Sequence, residues 1–222
     1  MSKRIRIVTG HYGSGKTEFS LNLAKKLKQT HEKVSIVDLD VINLYFRSRE
    51  KEEELNRMGI KLYASSIRAN AVDIPAVAAD VVAPIQDDEC QLIMDIGGNA
   101  AGARTIGRYR EMLLEKGCEH YFVLNCNRPE TDTLEKAVIF MEEIAFKSGI
   151  AITGLVNTSH MLKATRVEDV LRGDVLCRQV YEKTGVPVIY TVALEKIAAE
   201  LEGRVQGTIL PISLFMREEW ML

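Results

Sequence analysis

No run of apolar residues in this chain is long enough to span a bilayer, so the sequence predicts no membrane segment. The opening Met1-Ser2-Lys3-Arg4-Ile5-Arg6-Ile7 starts like the basic end of a secretory leader, but a glycine-rich loop follows where an apolar stretch would be needed. Cysteine pairing is also missing. Cys90, Cys118, Cys126 and Cys177 are far apart and form no C-x-x-C pair, which argues against a disulfide framework or a zinc knuckle. They read as small buried hydrophobes, and a reduced, cytoplasmic setting is expected. Charge of one sign is absent too: 29 Lys and Arg stand against 31 Asp and Glu, a net charge of -2. That balance points to neither nucleic acid nor an anionic membrane as partner. There is no internal repeat and no tract rich in Gly, Ser or Pro. With 222 residues, one domain over 1–222 is the expectation.

What is present alternates. Short apolar runs (Ile5–Val8, Val34–Val37, Lys61–Ala64, Leu92–Met94, Tyr121–Leu124, Ile150–Val156, Val186–Val192) are separated by segments of helical length. From Lys16 to Gln29, Phe19, Leu23, Ala24 and Leu27 fall on one helical face, and Lys25, Lys26 and Lys28 gather where the helix dipole favours cations. The charged stretch Arg47–Arg57 reads as a solvated helix, and Asp73 with Pro75 as a helix start. Asp132 with Glu135, and Thr165 with Glu168, have capping-box spacing, with Gly149 stopping the first of these helices and Gly173 a candidate interruption of the second. Strands alternating with helices predict an α/β fold: an open, mainly parallel β-sheet with helices on both faces, in three α/β/α layers.

Gly10, His11, Tyr12, Gly13, Ser14, Gly15, Lys16 and Thr17 match G-x-x-x-x-G-K-[ST] at every fixed position. A strand precedes the motif and an amphipathic helix follows it, the context a phosphate-binding P-loop requires. Glycines let the backbone curl so that successive N–H groups converge on an anion, and the helix N-terminus adds its positive end. Lys16 would reach the terminal phosphates and the Thr17 hydroxyl would ligate Mg2+. Glu18, next on the helix, is grouped with the nucleotide contacts. Chance would produce the bare motif in roughly one percent of chains of this length or fewer.

Two strands end in aspartate: Val37-Asp38-Leu39-Asp40 and Met94-Asp95-Ile96-Gly97-Gly98. In an open parallel sheet, ligands bind at the carboxyl ends of the strands. Asp95 fits a carboxylate that holds Mg2+, directly or through water. Gly97 or Gly98 fits a backbone N–H offered to the last phosphate, and Asp40 fits orientation of an attacking water. An isolated aspartate is otherwise a turn or cap residue.

The P-loop, the D-L-D strand end and the D-x-G-G strand end together resemble the MinD/ParA/CobQ-type ATPases of the SIMIBI class. The specific motifs cover residues 5–17, 34–49 and about 91–104. The resemblance implies a P-loop NTPase fold, ATP with Mg2+, and often a homodimer that sandwiches nucleotide. It assigns water positioning in switch I to Asp40, switch II to Gly97 and Gly98, and an adenine contact to Asn157; Asp40 is also grouped with Thr17 and Asp95 as a candidate metal ligand. One position departs: many members carry a second lysine where this chain has His11, and Tyr12 replaces a glycine. A neutral imidazole is a poor substitute for a fixed charge.

Arg47 and Arg49 read equally as switch residues or as a helix start, and Arg104, Arg108 and Arg110 equally as a basic rim or as helix-surface charges. Asn125-Cys126-Asn127 is the nearest approach to a guanine-binding N-K-x-D and lacks its lysine and aspartate. The expectation is a slow Mg-dependent ATPase switch using Lys16, Asp40 and Asp95. The alternatives are an ATP-dependent small-molecule kinase or ligase, and an assembly or delivery factor acting on an unidentified protein partner.

Overall fold

The computed structural model describes residues 3–39, 52–64, 81–98 and 100–216. Asp40, the segment with Asn43, Arg47 and Arg49, and the helix start at Asp73 and Pro75 lie outside the described residues. The sheet is made of β1 (Ile5–Gly10), β2 (Val34–Asp38), β3 (Ile60–Ala64), β4 (Gln91–Asp95), β5 (Cys118–Leu124), β6 (Gly154–Asn157), β7 (Val188–Leu194) and β8 (Thr208–Ile212). Its order is β3-β2-β4-β1-β5-β6-β7-β8, and every described pairing is parallel. This is the α/β, P-loop NTPase arrangement that the alternating pattern predicts.

Side-chain alternation along the central strands explains why helices cover both faces. In β5, Tyr121 and Val123 point into a cluster with Phe19 and Leu23 of α1 (Lys16–Lys28). Phe122 and Leu124 point the opposite way, towards α5 (Leu134–Ser148) and α6 (Val167–Thr184). In β1, Ile5 and Ile7 face a third cluster that includes Ile106 of α3 (Ala100–Gly107) and Leu113 of α4 (Arg110–Lys116). Strands buried on both faces need no polar face, and β1 is buried along its whole length.

Several boundaries differ from the sequence expectation. The sixth strand is shorter, starting at Gly154 rather than Ile150. Thr208–Ile212 pairs with β7 as an edge strand, where the sequence shows only an apolar tail; an edge position tolerates its Pro211. The cap of α5 is Thr133, whose hydroxyl accepts from the Lys136 N–H at 3.4 Å, rather than Asp132. At α6 the Asp169 carboxylate accepts from the Arg166 N–H at 3.0 Å, one residue beyond the spacing read from Thr165 and Glu168. Gly173 does not interrupt α6. A Cβ there would lie 2.0 Å from Ser159 Oγ and 2.4 Å from Asn157 Oδ1, so the glycine lets the helix approach the end of β6.

All four cysteines are free thiols; three are buried and Cys126 is half-buried. Burial raises the pKa of Cys177, so it behaves as a hydrophobe. None of the described helices is long and apolar enough to cross a membrane.

A buried histidine anchors the strand that carries the P-loop. His120 Nδ1 donates to the Ile150 carbonyl at 3.0 Å, which leaves Nε2 to accept from Thr9 Oγ1 at 3.0 Å. Burial pushes the imidazole pKa down from 6.5 to about 4, against a smaller raising effect of the Ile150 bond. Above pH 6.5 the ring is neutral in both folded and unfolded chains and has no effect on the balance. As pH falls from 6.5 towards 4, the unfolded chain binds the proton first and stability drops. This group alone should remove ~3 kcal/mol by pH 4. Urea unfolding of His120→Asn across that range should show a flatter pH dependence than the wild-type chain; equal slopes would exclude His120 as the source.

Candidate nucleotide site

The P-loop leaves β1 at Gly10, which has φ +150°. A Cβ on Gly10 would stand 2.4 Å from the Val123 carbonyl of the adjacent strand, so only glycine lets the chain turn there. Gly13 and Gly15 also have positive φ, +70° and +93°. The loop then feeds directly into α1, whose first residue is Lys16.

Three loop carbonyls are held by side chains. His11 O accepts from Lys16 Nζ at 2.9 Å, Gly13 O from Arg128 Nε at 2.7 Å, and Ser14 O from Thr158 Oγ1 at 2.5 Å. With these carbonyls bonded, and Ser14 N–H donating to His11 O at 3.1 Å, the loop is held in a curled shape at the start of α1, the shape in which such loops take up phosphate. Ser14 is itself fully buried, and the exposed Tyr12 lines the cleft.

The neighbouring strands bring the acidic turn to the same edge. Asp95 at the end of β4 is in register with Val8 of β1 on one side and Asp38 of β2 on the other. Asp38 and Asp95 are 3% and 2% exposed, so two carboxylates lie side by side under the loop. Asp38 was not singled out in the sequence, because only the register reveals it as the neighbour of Asp95. Gly98 lies against the loop: a Cβ there would be 2.6 Å from Tyr12 N and 2.8 Å from Lys16 Nζ. Gly97 is buried, and α3 packs on it through Gly102, whose Cβ would meet Gly97 O at 2.3 Å. Lys16, Thr17, Asp95, Gly97 and Gly98 are therefore brought to one edge of the sheet.

Three expected site residues are placed differently. The Glu18 carboxylate lines the same cleft but accepts from the Phe215 and Met216 N–H groups and from Asn22, so it ties α1 to the C-terminal segment. Helix geometry explains this, since each residue turns about 100° from the one before it. Burial raises the Glu18 pKa, partly offset by those N–H donors. The His11 ring packs edge-on to Phe140, with Nδ1 3.0 Å from Tyr12 O and 3.5 Å from Glu130 Oε2; the backbone carbonyl of His11 serves the loop, not its ring. The Asn157 side chain is fully buried, donating to Val170 O at 3.0 Å and accepting from Ser159 N–H at 3.1 Å, so its amide braces the cleft wall from behind.

Beyond the loop, a cleft of about 260 Å3 runs along α1 to an apolar end formed by Leu162, Val192, Leu194, Leu214 and Met216. Leu162 has φ +54°, a strained value for a branched side chain. It is held there by Thr165 Oγ1, which donates to Leu162 O, and by His160 Nδ1, which accepts from Leu162 N–H at 3.2 Å. That bond assigns the proton of a neutral His160 to Nε2, on the side facing Gly15. Arg128, Thr158, His160 and Leu162 were missed in the sequence because no local motif marks them.

Among the described residues no cluster of three or more His, Cys, Asp or Glu is assembled to hold a metal. Thr17 at the start of α1 and the buried Asp38 and Asp95 at the adjoining strand ends are all oxygen donors, the kind Mg2+ takes together with phosphate and water. These residues fit that ion.

No protein-family model matches the chain, and no curated protein matches it either. Solved structures do. Cell division protein FtsY from Thermotoga maritima superposes with a TM-score of 0.57 at 19% identity, covering 87% of this chain and 62% of that one. Chloroplast FtsY from Physcomitrella patens gives 0.57 at 17%, covering 86% and 59%. The signal recognition particle receptor FtsY from Elizabethkingia anophelis, in complex with GDP, gives 0.54 at 20%, covering 86% and 57%. This chain thus spans about three fifths of the length of these neighbours. The likeness is one of fold: the α/β fold of P-loop NTPases.

The contact of Gly98 with the loop is open to a direct check. Gly98→Ala should lower triphosphate affinity about tenfold or more, equivalent to about 1.4 kcal/mol, and should also lower the melting temperature of the free protein, because the added methyl meets loop backbone. Calorimetric titration reads the first and a thermal melt the second; unchanged affinity would remove Gly98 from the site.

Proposed function

We propose that residues 1–222 form one nucleotide-binding domain that acts as a slow, Mg-dependent nucleoside triphosphate switch, with ATP as the ligand and the MinD/ParA/CobQ-type ATPases as its kin. The observation that carries the reading is the loop itself, with three carbonyls held by side chains beside a buried carboxylate pair. In this reading the loop amides cradle the phosphates. The Lys16 ammonium exchanges the His11 carbonyl for phosphate oxygens. Thr17, Asp95 and Asp38 hold Mg2+, which supplies charge neutralisation at the phosphates when bound. Asp40 orients the attacking water, a role taken from the resemblance. Catalysis is then positioning and electrostatics, with little covalent chemistry. The apolar end of the cleft accepts the base.

The choice of ATP rests on the lining of that cleft. A guanine presents N1–H and an amino group that call for a carboxylate acceptor. Among the described residues of the cleft, Glu18 is the sole carboxylate, and it already accepts two backbone N–H groups. GTP is the second reading, favoured by the likeness to an FtsY structure in complex with GDP.

Titration with ATP and with GTP, each with Mg2+, separates the two. ATP should bind selectively, and phosphate release should run on the order of 10⁻⁴ to 10⁻² per second without an activator. Lys16→Ala should weaken binding about 100-fold, close to 2.7 kcal/mol, and abolish release. GTP-selective binding would replace ATP in this reading, and turnover unchanged in Lys16→Ala would refute the site.

A further inference from the structure

Arg128 sits in the turn after β5, outside every motif legible in the sequence. Its Nε donates to Gly13 O at 2.7 Å. The plane of the guanidinium lies against the loop: a Cβ on Gly13 would be 2.9 Å from Cζ and 3.1 Å from Nη2. The residue lines the nucleotide cleft. Among the described residues, Nη1 and Nη2 have no hydrogen-bond or ion-pair partner. The acid nearest in sequence, Glu130, is turned to His11.

The turn that carries Arg128 is firmly held. Arg128 N–H donates to Asn125 O at 3.1 Å, Asn127 N–H to Asn125 Oδ1 at 2.9 Å, Asn127 Nδ2 to His160 O at 3.0 Å, and Cys126 N–H to Ser159 Oγ at 3.0 Å. The cation is therefore fixed in place before any ligand arrives, which reduces the ordering cost of binding. A guanidinium stays charged at any physiological pH, and its fork matches phosphate oxygens. Satisfied at one N–H by a neutral carbonyl and half-buried, it has four N–H donors left for an anion, on the wall of a cleft whose floor is built for one.

We propose that Arg128 is a phosphate-binding residue of this site, a second cation supplied by the same chain that contacts the phosphate groups of the nucleotide alongside Lys16. The proposal rests on the nucleotide reading above. It goes beyond a bracing role, which the bond to Gly13 alone would fulfil.

Arg128→Gln separates the two, because the amide can still donate to Gly13 O but carries no charge. Affinities for ATP with Mg2+, and for inorganic tripolyphosphate by displacement of a fluorescent nucleotide, are measured in the full chain. Both should fall together by about tenfold or more, the scale of a lost charge-assisted pair of bonds, and Arg128→Lys should recover part of the loss. A fall for ATP with tripolyphosphate unchanged would overturn the assignment in favour of a sugar or base contact. Unchanged affinities with a lower melting temperature would overturn it in favour of a brace. Should Arg128→Gln not fold, phenylglyoxal labelling of the wild-type chain, read by mass spectrometry, decides. Saturating tripolyphosphate should protect Arg128, and undiminished labelling overturns the proposal. A wild-type chain that binds neither ATP, GTP nor tripolyphosphate would fail the nucleotide reading itself, and this proposal with it; normal wild-type binding with an unaffected Arg128→Gln fails this proposal alone.

Discussion

A backbone loop that offers its N–H groups to an anion must also find partners for its carbonyls. In this chain those partners come from three places: Lys16 from within the loop helix, Arg128 from the turn after β5, and Thr158 from the end of β6. The second and third make the site depend on residues more than a hundred positions away in sequence. The His120–Thr9 bond below the loop fixes the end of β1 in the same way. Pre-arranged dipoles of this kind make a phosphate site effective, because little reorganisation beyond the exchange of the Lys16 contact is left when the charge arrives.

The strand order places the remaining parts. β1 lies between β4 and β5, so the chain must cross over from β1 to β2 before returning to β4. That reversal opens a crevice at the carboxyl edge, where the P-loop, the D-x-G-G turn and the Asn125–Arg128 turn meet. The carboxylate pair follows from register: Asp38 and Asp95 are opposite one another on adjacent parallel strands. Two buried carboxylates side by side repel when both are ionised, and a cation between them and the phosphates would offset that. Small residues permit the close approach. Gly98 abuts the loop and Gly102 abuts Gly97, and a single methyl at either would contact backbone.

The far end of the cleft is built by different means. Glu18, one residue beyond the Mg2+-binding hydroxyl proposed at Thr17, holds the segment that carries Leu214 and Met216 against α1. Helix start and cleft wall are thereby joined through one half-buried carboxylate. Leu162 stays at a strained φ because Thr165 and His160 hold it, and strain of this type gathers where a chain must present a particular surface.

The sequence by itself determined the fold class and the phosphate loop. Both are local: buried strands and amphipathic helices declare themselves within a few residues, and G-x-x-x-x-G-K-[ST] encodes its own curl. Asp95, Gly97 and Gly98 were legible because they close a strand with a recognisable run. The tertiary structure alone decided the rest. The fates of Glu18, His11 and Asn157 depend on which neighbour faces them, and a short polar residue beside a motif reads the same whether it meets phosphate, a chain terminus or a helix carbonyl. Strand β8 escaped notice because an edge strand with a proline has little pattern of its own. Asp38, Arg128, Thr158 and His160 carry no local signal, since their place at the site is set by strand register and crossover, and contacts across a parallel sheet join residues far apart in the chain.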